Sequence, residues 1–297
     1  MSEAECEFVS SRGILKSMDV HSLKPVSSIT SCINYGIRAD PTKKYASVHV
    51  CGRALPDFCR RILPRLPRPF VLVTGDCDPS PNEVCTAGLI KSLLADKRLI
   101  HWYSQNWNPG HPKVTTLPIG LDYHTLAAHQ HHSWGPQTPP LNQERLLKAV
   151  ASKAKHFSER EIKCYASFHF AWKSRRYGLE RRAAIAKVPE ELVFYEPQKV
   201  VRLRSWSNQA RYAFVLSPPG GGLDCHRTWE ALALGCIPIL KRSSIAPLFE
   251  GLPVLFVDDW DELTKDLLEK TVADLKHHSE RNPRLTLNYW VKRINSH

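Results

Sequence analysis

Hydrophobic positions along the chain gather in short runs, and polar stretches with helical periodicity separate them. Residues 46–51 alternate and end at Gly52-Arg53. Residues 69–74, 98–103 and 113–119 are short runs rich in branched and aromatic side chains. Each suits a strand. Between them, residues 55–63 and 83–95 read as helices, the first closed by Pro64. A polar break over residues 124–140 precedes a helix over 142–156, with Leu146, Leu147 and Val150 on one side. The second half repeats the alternation. Strands are expected at 163–170, 192–195, 212–216, 237–240 and 254–257. Helices are expected in a basic stretch reaching about Lys187, at 223–234 and at 260–275. Residues 1–43 are poor in apolar positions and read as an irregular leader with one strand near 29–37. Pro283 breaks the chain before a last helix over 285–294.

Strands alternating with helices predict an α/β protein with mainly parallel sheets. A length of 297 residues is enough for two ordinary domains. The boundary is expected near residue 157. This gives Rossmann-like domains over 1–157 and 158–297, with the last helix packing back on the first.

The most informative stretch is 211–240, RYAFVLSPPGGGLDCHRTWEALALGCIPIL. It reads as strand, glycine-rich turn, helix, strand. Gly220, Gly221 and Gly222 permit backbone angles and close approaches that a Cβ forbids. Gly235 sits where the helix should end. A helix N-terminus beside such a turn favours phosphate, through open amides and the helix dipole. Arg227 and Glu230 lie three apart on one helical face, suited to a diphosphate and to ribose hydroxyls. Asp224 and His226 lie in the first turn. The plainer reading is a tight loop with a surface ion pair worth ~0.3–0.5 kcal/mol. The strand–turn–helix context favours the site. No Gly-Lys-Ser/Thr follows, and the G-x-G-x-x-G spacing is absent.

At these residues the chain resembles exostosin-like glycosyltransferases (glycosyltransferase family 47). The shared pattern is an apolar strand, Pro and Gly, then Arg-x-x-Glu-Ala-Leu and Gly-Cys-Ile-Pro. The chain is similar to the short soluble members encoded by large DNA viruses of algae. The resemblance is strongest over 160–262 and weaker over 69–147. It implies the GT-B-like arrangement, two Rossmann-like domains facing each other across a cleft. It also implies transfer with inversion from a nucleotide sugar, a UDP-sugar above all, with xylose as a guess at the sugar. The implied acceptor is a glycan or glycoprotein hydroxyl. No cofactor is expected beyond the donor, and no metal.

Composition narrows the setting. Apolar content of 42% and charged content of 24% are those of a globular protein. No apolar stretch approaches the ~20 residues of a membrane span, and the start lacks a signal-peptide pattern. A cytoplasmic location is expected, the host's if the chain is viral. Nine scattered cysteines without a Cys-x-x-Cys pair indicate neither a disulfide framework nor a zinc site. The formal charge of +12 attracts anions.

Candidate chemistry follows from the strand ends, where open α/β sheets bind ligands. In the second domain Lys173, Arg175, Arg176 and Ser217 join the glycine-rich turn as candidate donor contacts. In the first, Asp76, Asp78 and Asp122 are candidate bases for the acceptor hydroxyl, with Asp76 and Asp78 ahead of Asp122. Gln105, Asn106 and Tyr123 are candidate acceptor contacts. The histidines at 124–132 read as a polar loop rather than a metal site.

Three other readings compete. Asp76-Cys77-Asp78 matches the Asp-x-Asp pattern of metal-dependent GT-A transferases, but that leaves the glycine-rich turn unexplained. A basic nucleic-acid-binding protein accounts for the charge, though no recognition motif stands out; the expectation is no nucleic-acid partner. A non-catalytic glycan-binding relative would keep Arg227 and Glu230 without turnover.

Overall fold

The computed structural model describes residues 2–32, 35–37, 43–66, 68–171, 173, 175–278 and 282–297, with the backbone alone at 35–37. Part of the strand expected near 29–37 (residues 33 and 34) lies outside these residues, as do Trp172 and Ser174 of the basic segment.

Two sheets form the frame. The first contains β1 (Val20–Ser22), β2 (Tyr35–Ile37), β3 (Ala46–Cys51), β4 (Phe70–Gly75), β5 (Leu99–Gln105) and β6 (Val114–Leu117). Its order is β2-β1-β3-β4-β5-β6, parallel throughout except for β2. A small hairpin follows, β7 (His131–His132) with β8 (Gly135–Pro136). The second sheet holds β9 (Glu161–Ala166), β10 (Val193–Tyr195), β11 (Tyr212–Leu216), β12 (Ile237–Lys241) and β13 (Leu255–Val257). Its order is β10-β9-β11-β12-β13, all parallel. The connections reverse direction between β9 and β11, and a crevice opens at the carboxyl ends of such strands. The molecule is α/β and GT-B-like: two Rossmann-like units facing each other across a cleft.

Strand alternation builds three apolar clusters. On β4, Phe70 and Leu72 face one cluster while Val71 and Val73 face another. The latter continues into the second unit, where Trp229, Leu232 and Leu240 join it. A third cluster covers the far face of the second sheet with Phe214, Ile239 and Trp260. The last helix, Leu287–Ile294, presents Leu287, Trp290 and Ile294 to the shared cluster at the i, i+3, i+7 spacing of one face. The Tyr103 hydroxyl donates to the Arg293 carbonyl at 3.1 Å, which fixes that helix on the first sheet.

Several elements differ from the sequence expectation. The leader holds a helix, Ser11–Lys16, whose Ser10 cap accepts from Gly13 N at 3.0 Å. Six residues offer too few apolar positions to show a period. The helix expected over 83–95 is two, Pro81–Val84 and Ala87–Ala95, because Thr86 caps a new start. The break at 124–140 contains helix His124–Ala128 and the hairpin. Helix Arg202–Gln209 has no counterpart in the expectation, since its one large buried apolar side chain is Trp206. Among the described residues no helix is long and apolar enough to cross a membrane.

Candidate active site

The glycine-rich turn leaves the end of β11, and helix His226–Ala233 begins behind it. Gly220, Gly221 and Gly222 all have ordinary backbone angles. Close approach, not φ, demands glycine here. A Cβ on Gly220 would meet Arg181 Nη2 at 2.6 Å. One on Gly221 would overlap the Asp78 carboxylate, and one on Gly222 the Asn106 amide. Gly235, at φ +69°, is the residue whose conformation needs glycine, and it ends the helix.

The cleft between the units encloses about 340 Å³. The second unit supplies Gly220–Gly222, Arg175, Arg181, Lys199, Arg227 and Glu230 to its walls. The first unit supplies Asp78, Ile119, Ser133 and Trp134. Arg181 is 5% exposed and was not anticipated from sequence. Its Nε donates to the Pro219 carbonyl at 3.0 Å and its Nη1 to the Ala171 carbonyl at 3.1 Å. Arg227 reaches Ser217 Oγ at 3.5 Å and the Pro218 carbonyl at 3.3 Å, and lies over the Phe168 ring at 5.5 Å. Burial, with the neighbouring guanidinium, brings Arg181 down to about 10, and burial lowers Arg227 too. Among the described residues neither guanidinium is ion-paired to a carboxylate. Such cations stand ready for an anion.

The other predicted donor contacts divide. Arg175 is exposed and lines the cleft. Lys173 is exposed and lies outside the cleft lining. Arg176 pairs with Glu83 of the first unit and lies over the Tyr177 ring at 5.3 Å, so it bridges the units rather than facing the cleft. Ser217 is buried and exchanges a hydrogen bond with Thr228 at 2.9 Å, holding the turn to the helix. Glu230 lines the cleft, but its partner is Arg202 rather than Arg227. Arg202 donates to Glu230 Oε1 from Nη2 at 2.8 Å and from Nε at 3.1 Å. It also donates from Nη1 to Gln143 Oε1 at 3.1 Å and to the Asp122 carbonyl. The Trp134 ring covers it at 4.8 Å. Arg202 was missed because the helix carrying it was missed.

Four carboxylates separate by their partners. Asp76 takes φ +54° and is 6% exposed. It accepts from Ser27 Oγ at 2.8 Å beside Arg12, away from the cleft lining. Asp122 is 4% exposed and accepts from Thr125 N at 2.9 Å and Thr125 Oγ1 at 2.7 Å, with His124 Nδ1 at 3.2 Å. Burial would raise its pKa, but His226, His124 and Arg202 outweigh burial and hold it far below the usual carboxylate range. Asp224 accepts from Ile119 N at 2.8 Å and Trp229 Nε1 at 2.9 Å, and burial pushes it up to about 6. It lines the cleft, and its oxygens are engaged in tying the units together. Asp78 alone of the four is exposed, and among the described residues its carboxylate has no hydrogen-bond or ion-pair partner.

The amides expected to meet the acceptor are partly committed. Gln105 is buried and donates to the Cys77 carbonyl at 3.2 Å. Asn106, at φ +58°, donates to the Asp78 carbonyl at 2.9 Å and accepts from Asp224 N at 2.8 Å. It clamps the Asp78 loop to the glycine-rich turn. Tyr123 is 1% exposed with its hydroxyl donated to Glu144 at 3.0 Å, so it does not reach the cleft. Among the described residues no cluster of three or more metal-type ligands occurs.

Compared with family models and with curated proteins, the chain matches none. Among solved structures it is similar to an alpha,alpha-trehalose-phosphate synthase (UDP-forming) from Burkholderia vietnamiensis. The identity is 14% over 83% of this chain and 69% of that one, with a TM-score of 0.38. That likeness is too loose to bear on the site or its chemistry.

Proposed function

We propose that the chain is a glycosyltransferase that moves a sugar from a nucleoside diphosphate donor to a glycan hydroxyl. The observation that carries this is the meeting of unlike groups in one cleft. A buried and a half-buried guanidinium and a helix N-terminus come from the second unit, and a carboxylate unpartnered among the described residues comes from the first. Arg181, Arg227 and Arg175 would hold the diphosphate, and the low polarity around the first two strengthens their charge. Glu230, steadied by Arg202, offers its remaining acceptor capacity to the ribose.

The step is a single displacement. Asp78 takes the proton of the acceptor hydroxyl. The acceptor oxygen bonds to the anomeric carbon as the bond from that carbon to the diphosphate oxygen breaks. The nucleoside diphosphate leaves with the electron pair, and the configuration inverts. The resemblance supports UDP as the nucleotide and makes xylose the first sugar to screen. A metal held jointly by Asp76 and Asp78 would first have to draw Asp76 away from Ser27 and Arg12. The reading is therefore metal-independent, and the proposed setting is cytoplasmic.

Thermal unfolding in EDTA with and without millimolar UDP tests it. At ~100-fold its dissociation constant a nucleotide adds ~2.7 kcal/mol of stability. An upward shift is expected in wild type and in Asp78→Asn alike. Sugar transfer in Asp78→Asn is expected to fall by ~10²–10⁴-fold. No shift with any nucleotide, together with steeply salt-dependent binding to random duplex DNA, would replace this reading with a nucleic-acid binder.

A further inference from the structure

His226 opens the helix that carries Arg227 and Glu230, and the displacement by Asp78 makes no use of it. The first unit fixes its ring: Nδ1 lies 2.7 Å from the Gly120 carbonyl oxygen. A carbonyl only accepts, so Nδ1 carries a proton and donates it. Nε2 is the remaining position of the ring. The residue lines the donor cleft, and among the described residues Nε2 has no hydrogen-bond partner. Glu230 stands four residues on, on the same helical face and ~6 Å along the axis. A nucleotide whose ribose meets Glu230 runs its diphosphate toward the helix start, past His226 and Arg227.

We propose that His226 is a diphosphate contact whose ring takes up a proton when the donor binds, so that Nε2 turns from an acceptor into an N–H donor to a diphosphate oxygen. The proposal rests on the glycosyltransferase reading and adds to it a further donor residue and a coupling of donor binding to pH. Diphosphate oxygens at neutral pH only accept, so contact with Nε2 requires the charged ring. The fixed surroundings pull both ways. Asp122 and His124 face the ring from the first unit, and Asp224 faces it from the glycine-rich turn. Arg227 and Glu230 share its helix, and Arg202 stands behind Glu230. The carboxylates favour the charged ring, while His124 and the two guanidiniums oppose it. The diphosphate adds negative charge to this balance. An ordinary imidazole titrates at about pH 6.5, within reach of such a partner. As the bond to the anomeric carbon breaks, charge grows on the diphosphate oxygen and the hydrogen bond from Nε2 strengthens with it. The proton returns to solvent when the nucleotide leaves.

Titration calorimetry of the full chain with UDP tests the proposal. Run at about pH 7.5 in Hepes and in Tris, which differ in ionisation heat, it counts the protons taken up on binding. His226→Asn puts an amide N–H in the place of Nδ1, which keeps the bond to the Gly120 carbonyl, and removes Nε2. His226→Gln puts an N–H that does not titrate in the place of Nε2, and it serves should the Asn variant lose its fold. Melting without nucleotide reports on the fold of each. The terminal phosphate of UDP titrates alike in wild type and variant, so the difference between them isolates the ring. Wild type is expected to take up as much as about one proton more per UDP than the variant. From about pH 6.5 to about pH 8.5 its affinity for UDP is expected to weaken roughly ten-fold more than the variant's. Equal proton uptake in wild type and a folded variant overturns the proposal and leaves the donor reading standing. An affinity that falls no faster with pH in wild type does the same. Failure of UDP to bind wild type removes the donor reading, and this contact with it.

Discussion

Gly221 shows how much one missing carbon can decide. Its backbone is unstrained, but its Cα faces the Asp78 carboxylate with no room for a methyl group. Gly221→Ala must push Asp78 aside or part the units. The expected cost is ~1–3 kcal/mol in urea denaturation; on the proposed reading of Asp78 as the base, sugar transfer falls by about 10²-fold as well. Gly88 is the contrasting control. It lies in helix Ala87–Ala95 with nothing within 4 Å of a built Cβ. Gly88→Ala is expected to stabilise by up to about 1 kcal/mol in the same assay. The two substitutions are identical on paper and opposite in sign because only one glycine faces another part of the chain.

At the scale of elements, what could be read depended on how each element is held. The β11–helix–β12 stretch was legible because its strands are buried on both faces and Gly235 marks the helix end. Lys173 and Arg176 were grouped with Arg175 by adjacency, yet Arg175 is the member of the three that lines the cleft. Sequence neighbours after a strand fan out, and no period fixes their direction. Helix Arg202–Gln209 was illegible because charge and hydrogen bonds hold it more than apolar burial does. Its Arg202 is 7% exposed and joins Glu230, Gln143 and the Asp122 carbonyl across the units. Arg202→Leu leaves Glu230 without its cation and is expected to cost ~3–5 kcal/mol in chemical denaturation. Arg202→Lys should recover only part of that, since one ammonium cannot reproduce the guanidinium fork.

Taken whole, the molecule is two sheets around one continuous apolar cluster, tied further by Asp224, which accepts from Ile119 N in the other unit. Both sheets should therefore unfold in one cooperative transition, seen as coincident fluorescence and circular dichroism curves. The tie also carries a pH signature. Asp224 has a folded-state pKa of about 6, above its unfolded value of 3.8. Its contribution to stability is fully present below about 3.8 and is lost as the pH rises through about 6. Asp224→Asn removes that dependence. The melting temperature of the variant relative to wild type should therefore climb between pH 4 and pH 7.

On the glycosyltransferase reading proposed above, the clamp formed by Asn106 would also set the rhythm of the catalytic cycle. One amide side chain holds the Asp78 loop on one side and Asp224, two residues before helix His226–Ala233, on the other. On that reading, spent nucleotide would leave a cleft whose lining includes Asp78 and Asp224, and its departure would ask the clamp to unfasten. The same loosening bares Asp78 to the next acceptor. Unloading and reloading then become a single gesture, and product escape, rather than bond-making, becomes the natural metronome of turnover.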